Sequence, residues 1–452
     1  MSDRSIADLA AATPLTRDRY VDLLRVVALG LVMVGHFLMA GVVRGPNDSL
    51  VVFNSLVRLP HLQVLTWLFQ VMPIFFVVGG FSHARTWRSV RRRGGGYADF
   101  AQLRAQRLLE PTLAFVTFGV VAGVLVELAG PAPSDITFAL RLVGQPLWFV
   151  GIYLIVMCLA PWMLRLHERF GVWVVVLLVG AVALVDVARL GFDLPVVGYL
   201  NFVTVWLAIH QVGFFYADDR LSKPGLAWTA MLGGLTALIL LVALTPYPLS
   251  MVSLPGERVS NLAPPSFAVL ALAAFQVGAV LLLRGVGGRF AARPRVWLAV
   301  VAANAVIMTA FLWHLTAIVM ANGIVVRAGL PTPLPATPAW WLSRVPLLAL
   351  VLVILAGFVA LFRRYEAPRE WRIPEPGLRR AHRDGMAAVA VAVALLGVLG
   401  FSVTGFDGVS RLLTHRLVVI PMTPLLNLLL LWFGFWFVSW AARPVRREVG
   451  VS

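Results

Sequence analysis

Residues 22–43 read DLLRVVALGLVMVGHFLMAGVV. This run exceeds the roughly 20 apolar residues that cross a bilayer. It is too long for the centre of a cleavable leader and has no small-residue cleavage site. It therefore reads as a true first transmembrane helix. Similar runs follow at 63–84, 112–130, 146–164, 171–189, 195–216, 226–246, 267–284, 297–326, 341–362, 386–405 and 418–441. The expected fold is an all-α polytopic transmembrane helix bundle of about twelve helices. Composition agrees: 60% of residues are hydrophobic, 13% are charged, and mean hydropathy is +0.86. A soluble domain carries about 25% charged residues, so this chain has too little polar surface to live in water.

The net charge of +17 is nearly all arginine, with Lys223 the single lysine. The arginines fall in alternate short loops, which is a topology signal and not a nucleic-acid groove. Arg85, Arg88, Arg91, Arg92, Arg93, Arg104 and Arg107 follow the second run. Arg284, Arg289, Arg293 and Arg295 follow the eighth, and Arg363, Arg364, Arg369, Arg372, Arg379, Arg380 and Arg383 follow the tenth. The positive-inside rule then places both termini in the cytoplasm. The expected organisation is a cytoplasmic segment (1–21), a ten-helix core (22–362), a basic cytoplasmic loop (363–385), two further helices (386–441) and a cytoplasmic tail (442–452). Cys158 is the only cysteine, which excludes an intramolecular disulfide or a Cys-based zinc site.

Arg25 and His36 lie eleven residues apart. At 100° per residue they fall about 20° beyond three full turns, on one face and roughly 16 Å apart along the axis. Ionisable groups at such depth are costly and face a bundle interior or a wet cavity. The plainer alternatives are a hydrogen-bonded core histidine and a snorkelling arginine. Asp22 opens the same helix. Arg104 and Arg107, three residues apart, share a helical face and suit a phosphate-rich ligand; an ordinary basic loop is the bland alternative. His314 lies deep in Phe311-Leu312-Trp313-His314-Leu315, and Trp148 opens the fourth run, where an interfacial tryptophan is common. Pro73 permits a kink in the second helix, and Gly79-Gly80 permits close helix approach. The long run from Trp297 invites a tilt or break near Asn322-Gly323. No phosphate-binding glycine loop, metal-ligand cluster or nucleophile elbow is present.

Taken together, Arg25 and His36 with ten residues between them, the Met72–Phe81 run, Arg104-x-x-Arg107 leading to Pro111, and Leu147-Trp148-Phe149 resemble the integral-membrane acyltransferase-3 family. The resemblance covers about residues 17–362 and leaves the last two helices as additions. It implies a bacterial plasma-membrane O-acyltransferase that takes an acyl group from cytoplasmic acyl-CoA, with acetyl-CoA the first expectation and no metal. The implied acceptor is a hydroxyl of a cell-envelope glycan or a small secondary metabolite. Carried over by position, His36 is the essential histidine and acts as base, Arg25 orients the donor, and Arg104 and Arg107 contact its phosphates. Two departures stand out: Gly79 replaces a serine common in the family, and Glu110 adds an acid beside the arginine pair. A transporter or flippase suits twelve helices equally well, and a non-catalytic partner whose basic loops bind anionic lipid is a third reading. Dependence on acyl-CoA separates the enzyme from both.

Overall fold

A computed structural model describes residues 6–14, 16–44, 50–130, 134–366 and 380–441. Most of the basic loop expected at 363–385 and the tail expected at 442–452 lie outside these residues, as do residues 1–5. Among the described residues, twelve helical spans are long and apolar enough to cross a membrane. We label them α1 (Arg19–Met39), α2 (Pro60–Arg92), α3 (Tyr97–Leu128), α4 (Ser134–Phe170), α5 (Val172–Gly191), α6 (Pro195–Ala217), α7 (Pro224–Leu244), α8 (Phe267–Ala292), α9 (Ile307–Arg327), α10 (Pro338–Tyr365), α11 (His382–Thr404) and α12 (Pro424–Ala441). Two small antiparallel pairs, Ala40–Arg44 with Leu50–Asn54 and His415–Leu417 with Ile420–Met422, accompany them. The all-α polytopic class stands.

Helix termini follow local chemistry. The Asp18 carboxylate accepts from the Tyr20 and Val21 N–H groups, which caps α1. In α2 the chain is 3₁₀ over Pro60–Leu65, helical over Thr66–Phe69, broken at Gln70 and Val71, and helical again from Met72. Pro73 cannot donate the N–H that an unbroken helix needs there. The break expected near Asn322-Gly323 is absent, because α9 runs straight through both residues. It occurs instead at Ala305 and Val306, between a short helix Pro294–Asn304 and α9. The long basic loop expected after the second span is also much shorter. Arg85, Arg88, Arg91 and Arg92 lie in α2, and Arg104 and Arg107 lie in α3. Their side chains supply a charged face to helical turns, which a hydropathy window reads as loop.

The chain divides into two compact units. One holds residues 1–82 and 163–364, and the other holds 83–162 and 365–452. In the first, Gly80 of α2 and Gly213 of α6 bring two backbones together. A Cβ on Gly213 would meet the Val77 carbonyl oxygen at 2.2 Å, and one on Gly80 would meet that of His210 at 2.1 Å. Small residues at such crossings let helices approach in lipid, where no hydrophobic force drives them together. In the second unit α11 and α12 pack on each other and on α3. The Glu127 carboxylate at the end of α3 accepts from the Val409 and Ser410 N–H groups at 2.7 and 2.8 Å.

Gly213→Val should therefore destabilise the protein by roughly 1–3 kcal/mol, the usual cost of overpacking. Thermal unfolding of purified protein checks this, and an unchanged melting point would contradict the close α2–α6 crossing.

Candidate active site

Arg25 and His36 of α1 both face the segment 294–327. Arg25 donates from Nη1 to the Asp22 carboxylate at 3.1 Å and to the Asn304 side-chain oxygen at 3.5 Å, and from Nη2 to the Ser82 hydroxyl at 2.9 Å. Asn304 is the last residue before the break. Its amide nitrogen donates to the backbone oxygens of Val300 and Asp22 at 3.0 and 3.4 Å. Carbonyls only accept, so the other amide atom facing Arg25 must be oxygen. Asp22 is buried and also accepts from Arg17 Nε at 2.6 Å. That hydrogen bond holds the Arg17 guanidinium above its ordinary pKa. Arg25 is thus fixed by three side chains from three segments.

About three turns further on, His36 meets His314 of α9. His36 Nδ1 and His314 Nε2 are 2.7 Å apart, and the rings are nearly parallel, 7° between planes. His314 is buried and its Nδ1 contacts the Phe311 carbonyl oxygen. This last contact sets the protons. The carbonyl can only accept, so His314 Nδ1 carries its hydrogen. A neutral His314 then has a lone pair on Nε2, and that lone pair accepts from His36 Nδ1–H. The remaining nitrogen, His36 Nε2, is left with a lone pair of its own. One backbone oxygen thereby selects the tautomer of both imidazoles, an arrangement in which a second group orients a basic histidine. Arg25 with Asn304 and His36 with His314 occur in the same order along both segments, so α1 and the 294–327 segment run parallel.

The structure brings Asp22 together with Arg25, and His36 together with His314. Arg104, Arg107 and Trp148 belong to the other unit. There the Arg104 guanidinium donates to the Thr86 hydroxyl of α2, and Arg107, one turn on, is exposed. Trp148 is half-buried and meets Phe149 edge to face at 6.4 Å. Ser82, Thr86 and Asn304 were not singled out by sequence. Asn304 carries a usable signal, since it is an amide inside a long apolar run with no carboxylate near it in sequence.

Comparison with known families bears on this geometry. Residues 18–363 match the family described as Acyltransferase domain. The chain belongs to the acyltransferase-3 family. It is accordingly a membrane acyltransferase, acting on groups other than amino-acyl groups. The match includes Asp22, Arg25, His36, Arg104, Arg107, Trp148 and His314 and stops before α11 and α12. No curated protein and no solved structure matches the chain.

The relay makes a spectroscopic prediction. In ¹⁵N-histidine-labelled protein at neutral pH, His36 should show the Nδ1–H tautomer, the minor form of free imidazole. His314→Ala should return it towards Nε2–H. A His36 that is Nε2–H in the unmodified protein would break the relay.

Proposed function

We propose that this acyltransferase moves an acyl group, acetyl in the simplest case, from cytoplasmic acyl-CoA to a hydroxyl of an envelope glycan or small metabolite. The observation that carries the catalytic assignment is the imidazole pair, which leaves His36 Nε2 as an unprotonated nitrogen within the first apolar span. Acyl transfer to an alcohol needs a base whose pKa lies near the working pH, and imidazole meets that need. His36 Nε2 takes the hydroxyl proton as the acceptor oxygen attacks the thioester carbonyl. The carbon–sulfur bond then breaks, and the coenzyme A thiolate recovers the proton from the imidazolium. His314 stabilises that imidazolium by accepting from Nδ1–H throughout. Direct attack of His36 to form an acyl-imidazole is the less economical variant, because the hydroxyl would still need a base in the second step.

Arg104 and Arg107 are assigned to the coenzyme A phosphates. Guanidinium groups bind phosphate through paired N–H donors, and the arginine distribution places both on the cytoplasmic side. Thr86 holds the Arg104 head in position. Arg25 is assigned to orienting the donor, with Asp22, Ser82 and Asn304 as its supports. Both termini are placed in the cytoplasm of a plasma-membrane protein. Twelve spans alone would suit a transporter as well, and it is the family match that favours group transfer.

The deciding experiment is binding of acetyl-CoA and longer acyl-CoA to the purified protein, set against an Arg104→Ala/Arg107→Ala double variant. Saturable binding is expected, weakened at least roughly tenfold in the double variant, since one charge-assisted hydrogen bond is worth about 1.5–3 kcal/mol. Absence of binding to every donor would remove the reading. Independently, a folded His36→Gln variant should lose roughly 10²–10⁴-fold in transfer rate, the usual contribution of a general base. Full activity in that variant would take the base role from His36.

A further inference from the structure

The buried residues of the Pro338–Phe362 helix are Trp340, Arg344 and Val351. The rest of this very apolar helix is partly or fully exposed, with Leu342 and Val345 more than 70% open. A hydrophobic span that turns outward along most of its length thus turns an arginine inward. Arg344 is 7% exposed. Its Nη1 donates to the Ala40 backbone oxygen at 2.8 Å. Its guanidinium lies 4.0 Å from the Trp340 ring centroid and 5.7 Å from that of Phe37. Phe37 adjoins His36 in sequence. Ala40 lies four residues past His36 and donates its own N–H to the His36 carbonyl. Arg344 therefore anchors one helical turn from the imidazole pair, about 6 Å along the axis of α1, towards the end assigned to the extracytoplasmic side.

Among the described residues no carboxylate forms an ion pair with Arg344, whereas Arg25 has Asp22. Nε is buried and has no hydrogen-bond acceptor. The Ala40 oxygen at the end of α1 and the Trp340 face offer partial negative charge, but neither reaches the Nε edge. That edge, Nε–H beside Nη2–H, is a planar fork that receives a carboxylate or phosphate side-on. An arginine held within a membrane span with no carboxylate beside it among the described residues points to a functional site, because an uncompensated buried charge is expensive.

We propose that Arg344 binds an oxyanion, a carboxylate or phosphate carried by the acyl acceptor, and so holds the acceptor hydroxyl near His36. The substrate class is then an acidic sugar or sugar phosphate. This rests on the acyltransferase reading for the bound molecule's identity as acceptor; the anion site itself does not. A phospholipid headgroup has the same chemistry and is the second source of the anion.

The test is thermal unfolding of the full-length protein in phosphatidylcholine nanodiscs, with no acyl-CoA. The probes are methyl glucuronide, glucose 1-phosphate and the neutral methyl glucoside. At least one anionic probe should raise the melting temperature saturably, and the glucoside should not. Arg344→Gln should weaken that response at least tenfold. Arg344→Lys keeps the charge and can still reach Ala40, so it remains informative if the Gln variant does not fold; it should weaken the response as well, because it lacks the fork. A response to neither anion, an equal response to the glucoside, or a full response in the Lys variant overturns the proposal. In discs containing phosphatidylglycerol, a higher melting point of wild type alone that masks the sugar response would assign the oxyanion to lipid. Acyl-CoA binding is measured separately, so loss of the transferase reading and loss of this site give different results.

Discussion

Hydrocarbon offers no hydrogen bonds, so every backbone group at membrane depth must find its partner inside the protein. Two of the interrupted helices show how this chain obeys that constraint. Where α2 breaks at Gln70 and Val71, the Gln276 amide of α8 donates to the freed carbonyls of Trp67 and Gln70 at 3.0 and 2.9 Å. Gln70 itself accepts the Met72 N–H at 2.9 Å. Where the 294–327 segment breaks, Asn304 bonds back to Val300 and across to Asp22. A side-chain amide, buried Gln276 in one case and half-buried Asn304 in the other, stands at both of these interruptions.

The second break also shapes the chemistry. Asn304 satisfies backbone with its nitrogen and must present its oxygen to Arg25. His314 does the equivalent by giving Nδ1–H to Phe311 and presenting Nε2 to His36. In both cases a carbonyl that can only accept dictates which atom faces the ionisable side chain of α1. Polar side chains at this depth have few alternatives, so their orientation follows from a single obligatory bond. This is how a nearly apolar bundle sets two ionisable residues with few polar atoms.

The spans were legible in the sequence because a bilayer demands long apolar runs, and all twelve appear as helices. The shared face of Arg25 and His36 followed from helical arithmetic, and their common facing segment agrees. The pairing of His36 with His314 was not legible, since residues 278 apart in sequence meet only through packing. The misplaced break has a similar cause. Asn322-Gly323 looks like a local breaker, yet the Asn322 side chain donates to the Ile318 carbonyl within an intact helix at 2.8 Å. Asn304 is less conspicuous by composition but has Asp22 and Arg25 to bind. The start of α3 was missed for the opposite reason. Its first turn is polar because Asp99 accepts the Gly96 N–H and Asp384 accepts the Ala98 N–H, and a carboxylate from the added helices cannot be anticipated from hydropathy.

That last contact gives the two helices beyond the family match a physical place. Asp384 completes the N-terminus of α3 with a carboxylate, where the helix dipole favours negative charge. Arg383 beside it lies 3.8 Å from Asp99 and donates to the Ala441 carbonyl at 2.9 Å. At the other end of α3, Glu127 gathers the N–H groups after α11, and Phe406 fills the space that Gly119 and Gly123 leave open. The helix that carries Arg104 and Arg107 is therefore tied at both ends to α11 and α12. On the proposed reading, in which Arg104 and Arg107 bind a multiply charged donor, a rigid support helps because each guanidinium then loses less freedom on binding. The added helices are best understood as a brace for α3.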